Sequence, residues 1–167
     1  MKAGAAQRDI TPPVGMTIDA PTRVSIGVND PLFIRAMVLI DDAATSIAIV
    51  TCDLIGCEFE ASDQVHRAIQ SATGFGHVML NFAHQHSTRW LMPASERGEF
   101  SDEEFAWQES LHEAIIAAVA EAKAAAVPAR LRSGRAPVQV GFNRRITLPG
   151  GQIHMGDNPE GSVVPWV

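Results

Sequence analysis

The sequence predicts an α/β fold, a mixed β-sheet covered by helices. Three observations carry it. Two apolar runs rich in Ile and Val flank an acidic turn, a helical stretch ends in glycine just before a further apolar run, and a long alanine-rich helix opens on a capping box. A hairpin near the front of a chain that interleaves strands and helices favours a mixed sheet over a purely parallel one. At 167 residues the chain suits one globular unit with a substantial core.

Phe33 to Ile40 and Ser46 to Cys52 read as the two arms of the hairpin, with Asp41 and Asp42 at the turn. Glu58 to Thr73 then reads as a helix with Phe59, Val65 and Ile69 on one face, and Gly74 and Gly76 end it before a strand from His77 to Phe82. Ser101 and Glu104 have capping-box spacing, so a helix starts there. Leu111, Ile115, Ala118 and Ala122 recur along it until Pro128 stops it, after roughly six to seven turns. Ala129 to Arg135 and Val138 to Phe142 suggest extended segments, and the remainder is dense in Gly and Pro.

Composition excludes some partners. A net charge of −6 repels phosphate backbones and anionic lipid surfaces on average, and Arg144–Arg145 is the one adjacent basic pair, too small for a phosphate-tracking groove. No nucleic-acid partner is expected. Cys52 and Cys57 match neither the CxxC spacing of redox and zinc motifs nor a disulfide framework, and read as buried thiols. The start at Met1 lacks a basic segment followed by an apolar stretch, and Glu121 and Lys123 interrupt the most alanine-rich run, so there is no clear membrane segment and a soluble, cytoplasmic chain is expected.

The most informative segment is Phe82-Ala83-His84-Gln85-His86-Ser87, which follows directly on an apolar strand. In extended chain, residues two apart project from the same face, so both imidazoles can point into one cleft beyond the strand end and share a metal. A catalytic zinc draws on about three protein ligands, and two histidines do not suffice. Histidines satisfied by hydrogen bonds in a loop are the alternative on this pattern alone. A metallo-beta-lactamase motif would continue with Asp and His where Thr88 and Arg89 stand, and a cupin would have an acidic residue earlier than Glu96.

The segment resembles the neutral, non-lysosomal ceramidase family, in which a strand runs into His-Thr-His-Ser-Gly-Pro. The likeness extends to Ala3-Gly4-Ala5 with Arg8-Asp9-Ile10-Thr11-Pro12-Pro13, to Gly27-Val28-Asn29-Asp30-Pro31-Leu32 and Arg35-Ala36, to Asp53 after a Val-containing strand, to Asn143-Arg144-Arg145, and to Asn158-Pro159-Glu160-Gly161. These landmarks stand in family order across nearly all of the chain. Thr88 and Arg89 depart from the family's Gly and Pro, Asn29 stands where His is frequent, and Val164 where an acid is common.

The resemblance implies that residues 1–167 are the N-terminal portion of a ceramidase-like hydrolase domain, an incomplete catalytic domain. It implies a zinc ion with His84 as its first ligand, His86 facing the substrate, and Arg144 approaching the site to stabilise oxyanion charge or bind a polar substrate group. The family's remaining ligands, a second His followed by Glu and Tyr, would lie downstream of Val167, and His112 and His154 match neither the order nor the context of that second His. The implied reaction is zinc-dependent hydrolysis of a small-molecule N-acyl substrate, an amidase step of sphingolipid metabolism, with this fragment alone inactive. A noncatalytic ligand-binding domain with the same fold, or a hydrolase of another amide or ester, stays open beside it. Asp9 and Asp53 are expected near the same end of the sheet as the histidines.

Overall fold

The computed structural model describes residues 1–18, 23–43, 45–94, 96, 100–138 and 143–156. The chain forms two compact units, Met1–Arg130 and Leu131–Val167. The first holds a five-stranded mixed sheet in the order β4-β3-β2-β1-β5. Its elements in chain order are β1 (Lys2–Asp9), β2 (Phe33–Ile40), β3 (Ser46–Cys52), α1 (Phe59–Thr73), β4 (His77–Phe82), α2 (Asp102–Ala124) and β5 (Val127–Pro128). The α/β class and the mixed sheet are as the sequence predicts.

The hairpin β2–β3 is antiparallel, and its turn is tied by Asp41 N donating to Thr45 O at 2.9 Å and Thr45 N donating to the Asp41 carboxylate at 2.7 Å. β4 pairs parallel to β3, with α1 as the crossover between them. Along β2 and β3 the alternation sends Ile34, Ala36, Val38, Ala48, Val50 and Cys52 into one core with α1 and α2. The opposite face of β1, β2 and β3 presents Ala5, Gln7, Arg35, Met37, Ile49 and Thr51 along an open cavity of about 440 Å³. An antiparallel sheet tolerates one such uncovered face.

Strand β1 is unannounced by its sequence, which is rich in Ala and Gly and poor in β-branched residues. Pairing on both edges supplies what propensity lacks: Lys2 to Asp9 run antiparallel to Ile40 to Phe33, and Lys2 and Ala3 also face Pro128 and Val127. The expected α1 face needs one correction. Ala61, Val65, Ile69 and Thr73 are buried at spacings of four, whereas Phe59 is 92% exposed because it stands two residues, about half a turn, before Ala61 and so faces away from that stripe. Gly74, with φ of 79°, ends α1 in the left-handed conformation the sequence suggests.

α2 starts as expected, with Glu104 N donating to Ser101 Oγ at 3.2 Å and Ser101 N to Glu104 Oε2 at 2.9 Å. Beyond it, the extended segment expected from Ala129 to Arg135 has no ladder: only Val127 and Pro128 pair. Of the expected segment from Val138 to Phe142, residues 139–142 lie outside the described residues, as do Asn158 to Gly161 and Val164. The second unit contains a hairpin that sequence reasoning missed, β6 (Arg145–Thr147) with β7 (Ile153–Met155), turning at Gly150 and Gly151, both at positive φ. Among the described residues, no helix is long and apolar enough to cross a membrane.

Candidate functional site

Register places the sequence landmarks. Asp9 pairs with Phe33, Ile34 with Cys52, and Cys52 with Phe82, so the last residues of β1, β3 and β4 and the first of β2 share one end of the sheet. Asp9, Asp53 and the dihistidine segment therefore emerge at that end. Asp9 accepts from Thr11 Oγ1 at 2.6 Å and Thr11 N at 2.8 Å, and these bonds, the side-chain one foremost, hold its carboxyl below the ordinary range. Asp53 accepts from Phe33 N and from the Arg35 guanidinium, each at 2.9 Å. Both carboxylates thus tie loops to the sheet.

His84 and His86 face one another, their ring centroids 4.9 Å apart and the planes at 80°. The route to this pairing differs from the extended-chain argument. The ladder ends at Phe82, and His84 has φ of 55°, in the left-handed region that residues other than glycine occupy at a cost. The strand that leads into it, β4, is an edge strand among the described residues.

The strained residue is held by the loop after β3. Its backbone N donates to Leu54 O at 3.0 Å and its Nδ1 to Ile55 O at 2.9 Å. A carbonyl only accepts, so Nδ1 carries the proton and Nε2 of a neutral ring keeps a lone pair. That is the tautomer a metal-ligating histidine presents when its other nitrogen is anchored. Ser87, next to His86, borders a cavity of about 280 Å³ that is also lined by Thr11, Gly27, Asn29 and Asp30, so the opening and the Gly27–Leu32 landmarks meet the dihistidine loop there.

Sequence reasoning missed the clamp on the far side of this loop. Glu104, Gln108 and His112, four apart on α2 and all buried, grip the segment that follows the histidines. Arg89 donates to Glu104 at 3.0 Å and lies over the Phe100 ring at 4.4 Å. Gln108 donates to Trp90 O at 2.8 Å and accepts from Met92 N at 3.3 Å, while His112 Nε2 donates to Met92 O at 2.8 Å. A polar stripe at helical spacing on a buried face was the available signal. His112 thus serves the backbone of that segment, and His154 lies on β7.

Arg144 belongs to the second unit, where it is exposed and its Nε donates to Gly156 O at 3.4 Å. Burial pushes the Cys52 thiol up to about 12 and the Cys57 thiol up to about 11, so neither is a ready nucleophile. Among the described residues, no group of three or more His, Cys, Asp or Glu is placed to hold a metal ion.

No family model matches the chain, and no curated protein matches it significantly. Solved structures do. A neutral ceramidase from Pseudomonas aeruginosa superposes with a TM-score of 0.61 at 18% identity over 76% of this chain, and a structure described as a ceramidase complexed with C2 does so with a TM-score of 0.59 at 20% identity over 76%. The shared fold is that of a neutral ceramidase. The chain spans 22% of each of those ceramidase chains, so the ceramidase fold is represented here by about a fifth of its length.

Proposed function

We propose that this chain is the N-terminal portion of a ceramidase-like, zinc-dependent hydrolase that cleaves the amide of an N-acyl substrate. The observation that carries the reading is His84, held in a left-handed conformation with Nδ1 committed to Ile55 O and Nε2 left to ligate. The order of the sequence landmarks and the shared fold support it, although a fold alone does not specify an activity.

Imidazole nitrogen fits zinc, so the donor present suits the ion; His84 would hold it, with the other ligands supplied from beyond Val167. Zinc, when bound, supplies a Lewis acid and a water of lowered pKa. This chain's own residues do the rest. The loop after β3 fixes the His84 ring, and His86 beside it orients the substrate amide.

The test is zinc titration of this chain and of His84→Ala, with hydrolysis of a short N-acyl amide measured alongside. Weak zinc binding that the substitution abolishes, with little turnover by this chain alone, is expected. Equal zinc affinity in the variant would remove His84 from the ligand set. Robust zinc-dependent turnover by the 167 residues would instead mean that a complete site is assembled within them.

A further inference from the structure

Consecutive carbonyls from the last residue of β3 into the loop after it are all engaged by the dihistidine segment. Cys52 O accepts from Ala83 N at 3.0 Å, Asp53 O from Gln85 Nε2 at 2.6 Å, Leu54 O from His84 N at 3.0 Å, and Ile55 O from His84 Nδ1 at 2.9 Å. The parallel ladder of β3 and β4 is thereby continued past Phe82 by a pattern in which one donor is a side-chain amide. A strand that simply went on would present backbone N–H groups in even spacing. The left-handed turn at His84 breaks that spacing, and the Gln85 side chain supplies the donor for Asp53 O.

Gln85 also closes the loop from within. Its Nε2 donates to Thr88 Oγ1 at 3.0 Å and its Oε1 accepts from Ser87 N at 2.7 Å. Thr88 is fully buried, and its hydroxyl passes a further bond to Arg89 O at 3.4 Å. A threonine where the resembling motif has glycine is therefore accommodated by a partner that stands between the two histidines. Polar groups buried in such a network are costly when one member is removed.

We propose that Gln85, seated on Thr88, is the positioning residue that keeps His84 in its left-handed conformation and its ring in the Nδ1–H tautomer. Gln85 does not touch a ligand itself; it acts through His84. The zinc part of the consequence rests on the proposed function above, whereas the tautomer part concerns the protein alone. Outer partners that orient a ligating histidine typically contribute about 10- to 100-fold in metal affinity.

The experiment records long-range proton–nitrogen correlations of the imidazoles in the metal-free chain and then titrates zinc. In the parent, His84 gives the signature of one tautomer with the proton on Nδ1. Gln85→Leu is expected to turn it into a mixture and to weaken zinc by about 10- to 100-fold. His66, anchored on Val78 O outside this loop, should keep its signals and report an intact fold. If Gln85→Leu leaves both the His84 tautomer and the zinc affinity unchanged, the proposal is overturned. Should the His66 signals collapse as well, Thr88→Val and Thr88→Ser decide: a His84 shift in the first that the second restores supports the proposal, and identical spectra overturn it. Zinc binding that survives His84→Ala would sink the ligand reading, and the tautomer spectra then judge Gln85 by themselves.

Discussion

Position 4 has no room for a methyl group. A Cβ there would lie 2.0 Å from Ala122 O, a backbone atom of α2, so either the helix or β1 must move to admit it. Gly4→Ala is expected to lower stability by about 1–3 kcal/mol, read as a lower urea midpoint at unchanged slope. The motif Ala3-Gly4-Ala5 was visible in the sequence as a family landmark, but its physical reason was not, because the helix it meets lies more than a hundred residues downstream. Something similar holds at His84. The two-residue spacing correctly suggested that the two rings share a side, yet the turn that brings them together depends on carbonyls of Leu54 and Ile55, which no local pattern announces. Phe59 is the converse case: its apolar type suggests the buried face, and spacing excludes it.

Among the elements, α2 was the most legible at its start and the least legible along its buried polar side. The capping box reads directly from Ser101 and Glu104, whereas the service of Glu104 to Arg89 requires a loop contact. Burial alone would raise the Glu104 carboxyl, but bonds from the Ser101 amide and the Thr17 hydroxyl, with the Arg89 guanidinium, outweigh it and hold the group below the ordinary glutamate range. A depressed folded value means that the unfolded chain takes up the proton first on acidification. The carboxylate therefore stabilises the fold fully above about pH 4.3, the unfolded value, and this is lost as pH falls through the lower folded value. Glu104→Gln should cost about 1–3 kcal/mol at pH 7, with the difference from the parent shrinking as pH is lowered past that point; denaturation midpoints from pH 7 to 3 would show it. A difference that stays constant across that range would assign the cost to packing instead.

Over the whole molecule, the class of fold was legible because hydrophobic period and punctuation agree in β2, β3, α1, β4 and α2. The hairpin β6–β7 and strand β1 were not, since three-residue strands carry almost no period and β1 has almost no β-forming side chains. The gathering of the landmarks at one sheet end follows from pairing register, which the sequence suggests only through their order. One feature of that sheet reaches beyond equilibrium. Strand β1 sits between β2 and the two-residue β5, so the five described strands are joined only when the first meets a segment that follows α2. Closing so long a stretch of chain costs entropy before the contact rewards it, which assigns the β1–β5 pairing to the downhill side of the folding barrier and the local β2–β3 hairpin to its uphill side. Stopped-flow measurements should find that Val127→Gly, at a cost of about 1 kcal/mol, hastens unfolding while leaving the refolding rate alone, and that Val38→Ala slows refolding. The reverse pattern would mean that the ends of the unit find each other first.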